Sequence, residues 1–314
     1  MPAATPIPPV LLGRPFRRGE AEAHGLSRRV LQGRRFVRLF DDVYATAEIA
    51  EDLLVRAKAV QLANPDAALS HDSAAMHYGL PVPSRIGSHV TVPRGRLRSI
   101  TPIAVGTGRV AVHETTCPQA HNDDGWLVTL PERTFTDLAQ TFSLVDLVAA
   151  GDALVRRSLT TPDALAIAAR DNRRRPGARL ARRASGLVRP RVDSATETRL
   201  RLLVVLAGLP EPETGLDVFD RHGAWIARPD LSYPTYRIAI EYHGRHHAES
   251  DRQWAKDIGR REHYDRAGWR VIVVTAKHLY LQPGPTIMRI LAALQERGHP
   301  VAPAMPTTAW RAYF

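Results

Sequence analysis

The chain reads as an α/β protein, α+β overall, with a winged helix-turn-helix at its N-terminus, a mixed α/β middle region and a C-terminal helix–sheet domain. Three observations lead there. A helix–turn–helix pattern followed by an alternating basic run (RRFVRLFDDVYA) fills the span from Arg14 to about Ala45. Short alternating runs (HVTVP, PIAVG, VAVHE, WLVTL) interleave with helical patterns in the middle. From Ser194 a capped apolar helix precedes a two-stranded unit, a polar helix and a third strand, GWRVIVVT. The expected domains are 1–65 (arm and winged helix), 66–192 (middle region ending in an Arg-rich linker) and 193–314.

Length and charge narrow the classes of function. At 314 residues the chain has room for two or three cores. No run of about 20 apolar residues is present, so no membrane partner is expected. The start, MPAATPIPPVLLG, lacks a basic segment followed by an apolar one, which points to a cytoplasmic location. A single cysteine, Cys117, excludes an internal disulfide framework and a thiolate metal cluster. Forty-three Lys+Arg against 32 Asp+Glu give +11. That excess favours a polyanionic partner, nucleic acid above all. Arginine carries nearly all of it, so Arg-rich codon usage is the plainer explanation.

Taken in order, residues 1–12 are Pro-rich and read as a loose arm. FRRGEAEAHG, a break at Gly25, then LSRRVLQG makes two short helices, the second capped by Ser27. In a winged helix the second helix enters the major groove and the ribbon touches the backbone. Arg28, Arg29, Arg34, Arg35 and Arg38 would supply phosphate-directed charge; a solvated basic face is the alternative. Ala45–Leu62 reads as one helix stopped at Pro65, and SHDSAAMHYGLP as a short helix capped at Ser70. Its His71 and His77 are not at metal-ligand spacing and read as packing or surface residues. Helices are expected over 133–140 and 143–158, with Asp137 a surface or capping acid. Residues 169–191 hold nine arginines and read either as a phosphate grip or as a solvated linker.

The C-terminal region carries the chemistry. Ser194 and Glu197 form a capping box, and Leu200, Leu203, Val204 and Ala207 the buried stripe behind it. Glu197 reads first as a cap, with an i,i+4 bridge to Arg201 as a second role. In TYRIAIEYHG, alternation puts Tyr236, Ile238, Ile240 and Tyr242 on one face and Arg237, Ala239, Glu241 and His243 on the other. Asp230 closes the preceding run, and LSYPTY reads as the connection that brings it alongside. An ionised carboxylate on a buried face costs several kcal/mol (roughly) unless neutralised. Asp230 and Glu241 therefore need a cation, a basic partner or water, and hard carboxylate oxygens suit Mg2+ or Mn2+.

The combination RPDLSYP…RIAIEYHGRHH…DIGRREHYDRAGWRVIVVT resembles the restriction-endonuclease-like PD-(D/E)XK superfamily over about 194–280. The branch it is most similar to is an uncharacterised one related to very-short-patch repair endonucleases. The resemblance implies a core of order αβββαβ and metal-dependent hydrolysis of DNA. It implies Asp230 and Glu241 as metal ligands, Glu197 as a supporting acid, and His246, His247 and Arg261 near the nucleic acid. His243 stands where the superfamily usually has Lys and this branch Asp. It offers a metal ligand or a base, but removes a carboxylate. A zinc pair His243-x-x-His246 is disfavoured by strand geometry and the lack of cysteine. Asp257 and Arg261, i,i+4 on the next helix, read as a semi-buried pair. The N-terminal and middle regions resemble AbiEi-type antitoxins, which implies a toxin or defence-system partner and a non-catalytic, repressor-like alternative.

Overall fold

The structure, a computed structural model, describes residues 5–40, 42–96, 110–220, 222–244, 251–300 and 305–314, with side chains left aside at 251–258. The run 102–106 and His246 and His247 lie outside the described residues. The protein is of mixed α+β class. It divides into two compact units, 1–142 with 167–181, and 143–166 with 182–314.

The first unit opens with β1 (Phe16–Arg17), α1 (Arg18–Ala23), α2 (Arg28–Leu31), β2 (Phe36–Phe40) and β3 (Val43–Thr46). The three strands form an antiparallel sheet of order β1-β3-β2. Phe16, Leu26, Leu31, Phe36 and Tyr44 pack into one core. Leu11 is fully buried there with Ile7 against it, so the expected loose arm is docked from Ile7 onward. The expected helix from Ala45 is shorter. β3 runs to Thr46, and α3 (Leu53–Ala63) starts at Asp52, whose side chain accepts from the Leu54 and Val55 amides. The aspartate cap, rather than the apolar period, sets that boundary.

A five-stranded mixed sheet follows, of order β6-β5-β4-β8-β7. Its strands are β4 (Ala68–Leu69), β5 (Ser88–Pro93), β6 (Val110–Thr115), β7 (Ala120–Asp123) and β8 (Trp126–Thr129). The helices α4 (His71–His77) and α5 (Pro131–Leu138) belong to the same unit. Asp137 is not a surface acid. It is buried in α5 and takes both its oxygens to Arg133 Nε at 2.8 Å.

The helices α6 (Leu144–Arg156), α7 (Pro162–Asp171) and α8 (Ala178–Ser185) come next. The Arg-rich stretch is therefore helical in part. Ala178, Ala181 and Ala184 are buried while Arg179, Arg182 and Arg183 are exposed.

The second unit is built on α9 (Ala195–Leu206) and a four-stranded sheet. Its strands are β9 (Glu213–Thr214), β12 (Leu231–Tyr233), β13 (Ile238–His243) and β14 (Arg270–Thr275), in the order β14-β13-β12-β9. A hairpin of β10 (Val218–Phe219) and β11 (Trp225–Ala227) stands beside it. β14 runs parallel to β13, which requires a crossover, and α10 (Asp251–Arg266) supplies it. Residues Leu200, Leu203 and Val204 of α9 pack with Ile238, Ile240, Ile272 and Val274. Ile287, Ile290 and Leu294 of α11 (Pro283–Glu296) complete that core, with Trp310 and Phe314 against it.

Arg201 does not pair with Glu197. Its guanidinium is fully buried and reaches Asp152 Oδ2 of α6 at 3.1 Å, Glu211 Oε1 at 3.0 Å and the Leu187 carbonyl at 2.8 Å. Asp152 is 1 % exposed and also accepts from Thr198 Oγ1 and the Arg189 amide. Burial raises its pKa, and Arg201 offsets part of that. Removing one partner of such a pair strands the other. Arg201→Ala should therefore cost about 3–5 kcal/mol in urea unfolding. A loss under about 1 kcal/mol would show that the pair does not hold α6 to α9.

Candidate functional site

β13 positions the acids. Ile238 and Ile240 face the core shared with α9 and α11, so Ala239 and Glu241 face the opposite side. There Ala239 packs with Tyr264 of α10 and with Trp269. Glu241 is 8 % exposed and accepts from the Tyr264 hydroxyl at 2.9 Å through Oε1. Its Oε2 lies 3.4 Å from His243 Nε2 and 3.5 Å from Arg260 Nη2. Arg260 and Tyr264 are i,i+4 on α10 and so share the face toward the sheet. Burial and the charge of Glu241 push the Tyr264 hydroxyl well above its ordinary pKa, so it stays a donor.

Asp230 arrives by a different strand from the one the sequence suggests. LSY, read as a connection, is β12 itself, while β11 pairs with β10. Leu231 stands opposite Ile240, so Asp230 falls next to Glu241 across the antiparallel pair. The Tyr242 amide donates to Asp230 Oδ2 at 2.6 Å. Burial raises the Asp230 pKa, and the Glu241 charge adds to it. Glu197 keeps its cap role: its amide donates to Ser194 Oγ, and its Oε2 accepts from the Asp193 amide at 2.9 Å. Burial, then repulsion from Asp230 and Asp193, lifts its pKa to about 7. The three acids thus share one electrostatic neighbourhood. They do not form a ready donor set, because no three of Glu197, Asp230, Glu241 and His243 bring ligand atoms within 4.8 Å of one another.

The expected nucleic-acid residues fall unevenly. Arg28, Arg29, Arg34, Arg35 and Arg38 are all exposed. Arg35 donates to the Thr5 carbonyl at 2.7 Å and lies over the Phe36 ring. Arg261 is exposed, and the arginine beside the acids is its neighbour Arg260. The Asp257 side chain, and with it the expected Asp257–Arg261 pair, lies outside the described residues.

Among the described residues, one set of three His, Cys, Asp or Glu places its ligand atoms within 4.8 Å: His71, His89 and His113, in the first unit. His71 is buried and stacked on the other two rings, a packing position that also belongs to this set. β5 and β6 pair in parallel with Thr91 opposite His113, so His89 and His113 are diagonal neighbours on one face. His71 comes in from the start of α4 with φ +48, in the left-handed region. The rings lie nearly parallel, centroids 4.0 to 5.3 Å apart. Burial, and the neighbouring histidines, hold His71 and His113 below the ordinary imidazole pKa. They are therefore neutral, with a lone pair each. His77 is apart from this set and pairs with Asp123 at 3.0 Å. No local spacing signals the trio, because its members are 18 and 24 residues apart and meet only through the sheet.

No family model matches the chain. It is similar to two proteins of Mycobacterium tuberculosis, each 26% identical over 255 residues, covering 81% of this chain and 90% of the relative. They are the uncharacterized protein MT2308 of strain CDC 1551 / Oshkosh and the uncharacterized protein Rv2248 of strain H37Rv.

The Glu197 carboxyl gives a pH signature. Its ordinary value is 4.5, and in the folded chain it titrates at about 7. Between those values the folded state holds a proton the unfolded state has lost, so stability falls as pH rises through that window. The full effect is about 3 kcal/mol. Glu197→Gln should remove it, gaining stability over wild type as pH goes from 5 to 8 in urea titrations. A difference that does not change with pH would place the Glu197 proton elsewhere.

Proposed function

We propose that the protein binds DNA through the basic helix–ribbon module of its first unit and hydrolyses phosphodiester bonds, with a divalent metal, at the acids of its second. The observation that carries this reading is the juxtaposition of Asp230 and Glu241 on adjacent strands, with Glu197 in electrostatic range. Burial and mutual repulsion disfavour their charges, and a cation relieves that. Hard oxygens of Asp230 and Glu241 suit Mg2+ or Mn2+, which when bound would neutralise a phosphate and acidify a water. The chain's own groups do the rest. Tyr264 orients Glu241, the Tyr242 amide orients Asp230, and His243 stands beside Glu241, where it offers a proton-carrying or ligating nitrogen. The order α9, β9, β12, β13, α10, β14 is the αβββαβ sequence this reading needs, with β10 and β11 inserted. The exposed Arg28, Arg29, Arg34 and Arg35, and the overall +11, support DNA as partner.

A second reading, a non-catalytic DNA-binding regulator of antitoxin type acting in the cytoplasm with a toxin or defence-system partner, has one observation in its favour. Arg260 stands 3.5 Å from Glu241, so that carboxylate already has a counter-charge without a metal.

Plasmid nicking with Mg2+ and Mn2+ decides between them. The first reading expects relaxation of supercoiled DNA by wild type and none by Asp230→Ala or Glu241→Ala. Nicking that persists in both variants, or none by any protein, removes it. For the helix–ribbon module, replacing Arg29 of α2 and Arg34 of the α2–β2 turn by Ala should lessen the slope of log K against log salt by about 0.9 for each phosphate no longer neutralised. An unchanged slope would exclude Arg29 and Arg34 of this module as DNA contacts.

A further inference from the structure

We propose that His71, His89 and His113 form a binding site for a late first-row divalent cation, zinc by ligand preference, in the first unit and independent of the acids of the second. Three imidazole nitrogen donors from three separate elements lie within 4.8 Å of one another. In a tetrahedral site with Zn–N near 2.1 Å, ligand nitrogens stand about 3.4 Å apart. His89 Nδ1 and His113 Nε2 are 3.0 Å apart, so modest ring rotation reaches that spacing without moving either strand. The present near-parallel stacking means that such rotation is needed for the lone pairs to converge.

What surrounds the trio favours a cation over a mere ring stack. Asp72 Oδ2 lies 3.5 Å from His89 Nε2, the nitrogen turned away from His113. A carboxylate behind a histidine, leaving the other ring nitrogen for the ion, is the usual outer support of a metal ligand. Asp72 is 4 % exposed, its Oδ2 accepts from the Gly87 amide, and its Oδ1 is buried with no hydrogen-bond partner. A buried carboxylate so placed gains from positive charge transmitted through His89. Arg133 opposes a cation here, and Asp137 offsets it by accepting from its Nε with both oxygens at 2.8 Å. His71 has Ser70 Oγ at 3.1 Å from Nδ1 and Gln140 Nε2 at 3.2 Å from Nε2, so one of these contacts gives way on binding. Imidazole donors select zinc, cobalt, nickel or copper over magnesium, and three of them leave a fourth position for water or another donor.

The full chain, stripped with chelator and exchanged into metal-free buffer, should take up one equivalent of Zn2+ or Co2+ that does not depend on the acids. With Co2+ it should show hyperfine-shifted, exchangeable imidazole N–H resonances. His89→Gln and His113→Gln should each abolish that equivalent, and Asp72→Asn should weaken it by roughly ten- to a hundredfold. Glu241→Ala should leave it intact, which separates this site from the acids and from the nuclease reading. The proposal is overturned if the wild-type chain binds no stoichiometric metal, or if folded His89→Gln and His113→Gln variants bind as well as wild type. Should those variants fail to fold by circular dichroism, the wild-type Co2+ spectrum decides: no shifted imidazole resonances, no site.

Discussion

The second unit depends on the burial of β13 on both faces. Strand alternation sends Ile238 and Ile240 into the core with α9 and α11, so Ala239 and Glu241 must enter the opposite layer. A carboxylate there cannot stay ionised without help. The crossover helix that the parallel β13–β14 pair requires brings that help, since α10 carries Tyr264 and Arg260 on the face toward the sheet. Topology and electrostatics are thus one problem: the helix that closes the sheet also supplies the partners of its charged residue. Asp230, one step beyond the Leu231–Ile240 pair and so opposite Glu241, belongs to the same arrangement through the Tyr242 amide.

The two clusters differ in kind. In the second unit, oxygen donors with raised pKa values repel one another and are partly neutralised by an arginine. Such a set suits a hard cation that keeps much of its water. In the first unit, three stacked imidazoles are drawn together with one carboxylate behind them. That set suits a borderline-soft ion. Each cluster holds a buried carboxylate, partnered differently: Glu241 by an arginine and a phenol, Asp72 by the Gly87 amide and His89. The Arg201–Asp152 pair shows a third solution, in which a buried carboxylate is met by a fully buried guanidinium that also reaches Glu211.

Much of the second unit is legible in the sequence because its signals are local. The Ser194–Glu197 cap, the α9 stripe and the faces of β13 all follow from periods of 3.6 and 2. The misreadings have physical causes as well. Three residues, Leu231–Tyr233, are too few to show alternation, so β12 passes for a turn. Nor does motif spacing encode which side of α10 meets the sheet, so Arg260 beside Glu241 goes unread; Tyr264, four residues beyond it, marks that side. In the first unit Asp52 shortens a helix that apolar spacing alone extends to Ala45.

By itself the sequence determined the α+β class, the acids on β13 and its neighbour, and the basic, arginine-borne charge, because composition and short periods carry those properties. Only the tertiary structure decided that Asp230 reaches Glu241 through β12, that Arg260 and Tyr264 hold Glu241, that Arg201 turns to Asp152, and that His71, His89 and His113 meet. Each of these joins residues on different elements, and the pairing of strands and the docking of helices that sets such contacts depends on non-local burial, which no local spacing records.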